Sequence, residues 1–417
     1  MTKSTTGPTP ESDLLFYCAR TQVPPFVEEK IVELCQQPLD WNFFRDSARA
    51  HRVVPLVHHN LHTICPNLVE PSILEELGQH AEVARTHGEA NLRALLEILR
   101  LLHENEIPAI PFKGVTFAMS VYGGLDKRQC GDLDLLVHRE DFLRAKTLLI
   151  RAGYQEVYFG HAEVATVQAA LLRDDKKAIV DLHYALTPHF QHTNPDEGRL
   201  GSTFPQEKRN KLATNNTYWH FCLDTEPMWE RAEALEVEGS TFPVLCPEDV
   251  LLTLCSHGMK DNWRFLRLIC DIAELARARP DLDWGGVYDR TRELRCRRKF
   301  LLGVVMAHDY LGMPIPDRLI SELEPLRSLY FLSRKYRTAN FSKVPVSAQG
   351  LNWKLYVNNR RGHYNCANLF TMDTLSDVVR YFFYLLRRLG VRDPNGHPFV
   401  RLPFLLRLVF SYAAAMV

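Results

Sequence analysis

The sequence predicts an α+β protein in which a small mixed sheet sits between larger helical parts. Three observations carry this. Leu92, Leu95, Leu96, Leu99 and Leu102 recur at helical spacing, the mark of a helix that buries one face. At Glu106 the pattern changes to short apolar runs separated by turn residues. At Pro247-Glu248-Asp249 a helical pattern resumes.

The elements follow in order. Residues 1–12 are polar, with two prolines, and read as a disordered lead-in without the apolar region of a secretory signal. Residues 13–104 read as an N-terminal helical domain, in which Asp40-Trp41 opens a helix with Phe44 and Ala48 on its apolar face. Residues 105–245 read as the α/β core. Ile107–Phe112 is short and apolar, and its two prolines suit only a strand edge or entry. Lys113-Gly114 leads into a helix-compatible run, Val115–Tyr122, stopped by Gly123-Gly124. Leu133–Val137 reads as a strand, Asp141–Ala152 as a helix and Tyr154 to Phe159 as a strand. Ala169–Arg173 and Ala178–Leu186 read as two strands around the turn Asp174-Asp175-Lys176-Lys177.

The stretch 190–225, rich in Asn, Thr, Gly, Pro and Lys, reads as a long loop. Glu236–Leu245 reads as a hairpin through Glu238-Gly239-Ser240. Residues 246–345 form a further helical domain, whose first helix has Pro247 at its start and an acidic pair at its positive end. Residues 346–417 read as a C-terminal helical extension that includes an aromatic, basic helix, Asp377–Leu389.

Composition narrows the function. The 50 Lys+Arg and 50 Asp+Glu cancel, which excludes a polybasic coat or an acidic solvating chain. No run approaches the ~18 apolar residues of a membrane span, and Leu408–Val417 reads as a buried terminal helix. Ten cysteines are scattered without a CxxC pair, which fits reduced thiols and a cytoplasmic location. Cys255-Ser256-His257 lacks the partners of a zinc site. There is no Walker A loop, GxGxxG fingerprint, HExxH or GxSxG.

The chemistry concentrates in Gly131-Asp132-Leu133-Asp134-Leu135-Leu136-Val137. Two residues apart on a strand, Asp132 and Asp134 point to the same face. Like charges in an apolar strand repel unless a cation lies between them, and Mg²⁺ (or Mn²⁺) suits oxygen ligands. Ile179-Val180-Asp181-Leu182-His183 places a third carboxylate in a later apolar strand. Lys113-Gly114 sits where a strand gives way to a helix, a place where backbone N–H groups receive phosphate.

These residues resemble a known family. Ile107–Val137, with Phe112-Lys113-Gly114, Arg128 and Gly131-Asp132-Leu133-Asp134, is similar to the uncharacterised nucleotidyltransferase family of the polymerase-β-like superfamily. Val180-Asp181-Leu182-His183-Tyr184 resembles its third acidic motif. Pro247-Glu248-Asp249 through His257-Gly258, Arg267 and Asp271-Ile272-Ala273 resembles its C-terminal helical part. The resemblance covers about residues 13–345. One departure is plain: the superfamily's Gly-Ser at the helix start is Lys113-Gly114 here.

The resemblance implies a polymerase-β-like mixed sheet and a two-metal nucleotidyltransferase. Asp132, Asp134 and Asp181 are its expected catalytic and metal-holding residues, with a nucleoside triphosphate such as ATP as substrate. Lys113, Gly114, Arg128, Gly131, His257, Lys260 and Asp271 are the expected nucleotide contacts. The acceptor is a small molecule, a protein hydroxyl or a tRNA end. The alternative is an inactive nucleotide-sensing or partner-binding protein on the same scaffold.

Several of these residues also carry plainer readings. Arg128 binds triphosphate or pairs with a carboxylate. His183 reads first as a structural histidine and Lys260 as a surface lysine. Asp271 pairs with Arg267 or orients a nucleotide-binding group. Basic clusters at Arg292, Arg295, Arg297, Arg298 and Lys299, and at Arg334, Lys335 and Arg337, read as solvated helix faces or as an RNA-binding surface.

Overall fold

The computed structural model describes residues 9–157, 168–173, 178–186, 223–341, 371–374 and 378. Five helices open the chain: α1 (Pro10–Cys18), α2 (Pro25–Cys35), α3 (Trp41–Ala50), α4 (Val54–Ile64) and the long α5 (Pro71–Glu104). Helix α1 starts inside the expected lead-in. Thr9 caps it through the Ser12 amide and Pro10 occupies its first position, where a missing N–H costs nothing. Asp40 caps α3 by accepting from the Phe43 amide at 2.9 Å.

The sheet follows: β1 (Ala109–Pro111), β2 (Leu133–Val137), β3 (Tyr154–Val157), β4 (Gln168–Arg173) and β5 (Ile179–His183), in spatial order β1-β2-β5-β4-β3. Among the described strands only β2 and β5 pair in parallel; the other pairings are antiparallel. The short helix α6 (Gly114–Phe117) continues as a π-helical turn, Ala118–Tyr122, and ends at Gly123 with φ 75°. Helix α7 (Phe142–Arg151) lies between β2 and β3. After the short helix α8 (Glu226–Glu230), the hairpin β6 (Glu233–Val237) and β7 (Ser240–Val244) turns through Glu238 and Gly239. Both turn residues have positive φ, as a two-residue hairpin requires.

The remaining helices are α9 (Pro247–Lys260), α10 (Leu266–Ala278), α11 (Trp284–Glu293), α12 (Arg297–Leu311), α13 (Asp317–Leu323) and α14 (Arg327–Phe341). No helix among the described residues is long and apolar enough to cross a membrane. The end of the expected strand at 158–159, the turn 174–177, nearly all of the expected loop 190–225, the expected helix 377–389 apart from residue 378, and the expected terminal helix 408–417 lie outside the described residues.

Strand alternation decides where the core sits. Leu133, Leu135 and Val137 of β2 and Val180 and Leu182 of β5 pack with Leu95, Ile98 and Leu102 of α5. Their neighbours must face the other way, and Leu136 joins a second core built from helices. That second core is continuous between the two ends of the described chain: Leu14 and Phe16 cluster with Trp263, Phe300 and Phe341. The helices that precede and follow the sheet therefore form one packed body against one of its faces.

Candidate functional site

Asp134 and Asp181 are direct partners across the parallel β2–β5 pairing, and His183 follows two residues after Asp181. Because their apolar neighbours turn toward α5, all three side chains face the helical body. Their ligand atoms lie within 4.8 Å of one another, and His183 Nε2 stands 3.4 Å from Asp134 Oδ1. His183 is buried, with neither ring nitrogen hydrogen-bonded, and the Phe112 ring packs edge-on against it at 5.3 Å. Paired carboxylates beside an imidazole with unmet nitrogens form a donor set that suits a divalent cation.

The two carboxyls differ sharply in environment. Burial opposes ionisation of Asp134, but the charges of Lys113 and His183 outweigh it and hold the group well below the usual carboxylate range. Asp181 is pushed up to about 6 by burial, assisted by the charges of Asp134 and Asp132 and opposed by His183 and Lys260. Neighbouring carboxyls with separated pKa values are suited to different roles.

Asp132 does not belong to the group within 4.8 Å. It lies exposed, one residue before β2 begins, although its charge reaches Asp181 and Arg52. The Gly131 carbonyl ahead of it accepts a hydrogen bond from the buried Asn91 Nδ2 of α5, which ties this entry to the long helix.

Lys113 and Gly114 form a strained corner. Lys113 has φ 64° and ψ −154°, a region that essentially only glycine occupies, at a cost of about 1–3 kcal/mol. Gly114 has φ 52°, and a Cβ there would stand 3.1 Å from the Asp132 carbonyl oxygen. The corner brings the Lys113 charge to bear on Asp134 and His257. Lys113 O accepts bonds from Thr116 Oγ1 at 2.7 Å and from Phe117 N at 3.2 Å.

Arg128 and Asp271 are buried against each other, so Arg128 makes the carboxylate pairing that was one of its two readings. Arg128 Nε and Nη2 donate to the two Asp271 oxygens at 2.8 Å each. Its Nη1 donates to the Gly114 carbonyl at 3.0 Å, and Tyr122 Oη donates to Asp271 at 2.8 Å. The fork geometry suits a buried guanidinium, and it fixes the Lys113-Gly114 corner to α10. Asp271 therefore makes its ion pair with Arg128, while Arg267 acts on it only through its charge.

His257 and Lys260 sit near the end of α9. Burial and then Lys113 lower the His257 pKa, against the opposing pull of Asp261, whose carboxylate lies 3.4 Å from Nε2. Lys260 is exposed, and its charge acts on Asp181, His257 and Asp261. Two site neighbours escape the sequence reading. Asp261 had a readable signal, its place four residues after His257 on one helix face. Arg52, after α3, had none: it is a lone residue at φ 59°.

The family described as an uncharacterised nucleotidyltransferase matches residues 37–312. Among solved structures, the chain is similar to an antigenic nucleotidyltransferase-like protein from Paracoccidioides brasiliensis. The identity is 15%, the match covers 58% of this chain and 93% of that one, and the TM-score is 0.28. No curated protein matches the chain.

Proposed function

The chain belongs to the uncharacterised nucleotidyltransferase family, and on that premise we propose that it moves a nucleoside monophosphate from a nucleoside triphosphate to an acceptor hydroxyl. The observation that carries this reading is the paired register of Asp134 and Asp181 with His183 beside them. Divalent cations bound there, Mg²⁺ or Mn²⁺, supply charge neutralisation at the triphosphate and a lowered pKa for the acceptor hydroxyl.

The protein's own groups do the rest. Asp134, kept ionised by Lys113 and His183, is a permanent anionic ligand. Asp181, with its pKa near neutrality, takes the hydroxyl proton. Asp132 is assigned to the same cation-holding group from the outer end of β2. The acceptor oxygen forms its bond to the α-phosphorus as the bond to the β-phosphate oxygen breaks, and pyrophosphate leaves. Lys113, Lys260 and His257 face the leaving phosphates, and Gly114 and Gly131 leave room at the corner. Placement and charge supply most of the acceleration.

The test follows α-labelled nucleoside triphosphates onto a panel of small-molecule, protein and tRNA acceptors, with Mg²⁺ or Mn²⁺. Label transfer by the wild type that falls at least 10²-fold in Asp134→Asn and Asp181→Asn supports the reading. Tight nucleotide binding without pyrophosphate release across the panel favours the non-catalytic alternative.

A further inference from the structure

Next to the carboxylate group lies a cluster of arginines that the proposed chemistry has not yet used. Arg52 Cζ is 4.3 Å and Arg264 Cζ 4.5 Å from the centre of the Phe265 ring, so two guanidiniums share one aromatic platform. The Arg267 amide donates to the carbonyl of His51 at 3.3 Å, which stitches the end of α3 to the first turn of α10 and sets Arg267 beside Arg52.

The cluster is thinly countered. Among the described residues neither Arg52 nor Arg267 has a carboxylate within ion-pair distance, and Arg264 reaches Asp261 only at 3.7 Å. The Nε atoms of Arg264 and Arg267 are buried without a hydrogen-bond partner. Burial and the neighbouring Arg267 charge lower the Arg52 pKa, and Arg264 adds to this, while Asp261 and Asp132 oppose it. Two contacts join the cluster to the site: Arg264 reaches Asp261, which faces His257, and Arg267 lies one turn before Asp271 on α10, whose partner Arg128 holds the Gly114 carbonyl.

The turn presenting these groups is rigidly built. Asn262 and Trp263 both have positive φ, and Asn340 Nδ2 donates to both of their carbonyls, at 3.1 and 2.9 Å. Trp263 is fully buried against Gly258 and Gly303.

We propose that Arg52, Arg264 and Arg267 form the seat for the polyphosphate tail of the nucleotide, held jointly by the helices that precede and follow the sheet. Guanidinium forks match phosphate oxygens two at a time. A compact group of unmet donors beside a cation site fits closely spaced phosphates, whereas the phosphates of an RNA strand are spread along its length. The assignment rests on the nucleotidyltransferase reading and deepens it: affinity is set by the number of phosphates, in the order tri-, di-, monophosphate.

The experiment titrates the full chain with inorganic tripolyphosphate in metal-free buffer by calorimetry, and separately with single-stranded RNA. Wild type binds tripolyphosphate. Arg52→Gln and Arg267→Gln each weaken it by roughly 10-fold or more, as expected for a charge-assisted hydrogen bond, and Arg52→Lys restores part of the loss. Asp134→Asn binds at least as tightly as wild type, so seat and catalysis are read separately. Unfolding curves accompany each variant, so that a loss of binding is read from folded protein. Equal tripolyphosphate binding by wild type and Arg52→Gln, or binding of RNA but not of tripolyphosphate, overturns the assignment. Loss of label transfer with arginine-dependent tripolyphosphate binding intact would instead count against the catalytic reading alone.

Discussion

Asp134 and Asp181 face each other across the one parallel strand pair of the five-stranded sheet, yet one is held well ionised and the other is raised to about 6. The Lys113 charge at the strained corner acts on Asp134 and accounts for much of the difference, whereas the His183 imidazole lowers both. Predictions about stability, metal preference and chemistry all follow from this pair.

The pH dependence has a definite sign. The folded pKa of Asp181, about 6, lies above its ordinary value of 3.8. Between those values the folded state binds more protons than the unfolded state, so this group's contribution to stability falls as pH rises from about 4 to 6. The loss is on the order of 2–3 kcal/mol without metal. Denaturant unfolding in chelator at pH 4.5 and 7 should show Asp181→Asn gaining stability relative to wild type at the higher pH. A divalent cation should bring wild type back up.

His183 gives the cation site a nitrogen donor beside its oxygens. Imidazole suits transition metals better than Mg²⁺, so Mn²⁺ should bind more tightly than Mg²⁺. His183→Ala should narrow that gap by roughly 10-fold, the scale at which a lost metal-site contact lowers affinity. Calorimetric titration of both ions into both proteins measures it, without reference to turnover.

Lys113 sits where glycine is at ease. Lys113→Gly should raise stability by about 1 kcal/mol through release of backbone strain. The same change should weaken nucleotide binding by removing the charge that acts on Asp134. Denaturation midpoints and nucleotide titration on one preparation would reveal both effects.

The Arg128–Asp271 pair is buried at both ends. Asp271→Ala strands a guanidinium in the interior and should cost about 3–5 kcal/mol. Replacing both residues by apolar groups should cost less than that single change. Urea unfolding of the single and double variants decides this.

Much of this was legible in the sequence, for physical reasons. Leu133–Val137 coincides with β2 because a five-residue stretch with four apolar residues, between Gly131 and the later helix, has few other uses. Glu238-Gly239 reads as a hairpin turn because the turn demands positive φ. Alternation alone places Asp134 and Asp181 opposite the α5-facing leucines. The strand order was beyond reach, because nothing local says that β5 inserts between β2 and β4. For the same reason the partner of Arg128 was not readable: Asp271 is 143 residues away. His183 read as structural because a lone histidine in an apolar strand gives no sign of which nitrogens go unmet.

The most direct test of the central claim is transfer of α-labelled phosphate by wild type, Asp134→Asn and Asp181→Asn under identical metal and nucleotide concentrations. The account predicts labelled product and stoichiometric pyrophosphate from wild type, with both variants reduced at least 10²-fold while remaining folded. Equal transfer by wild type and the two variants would contradict it.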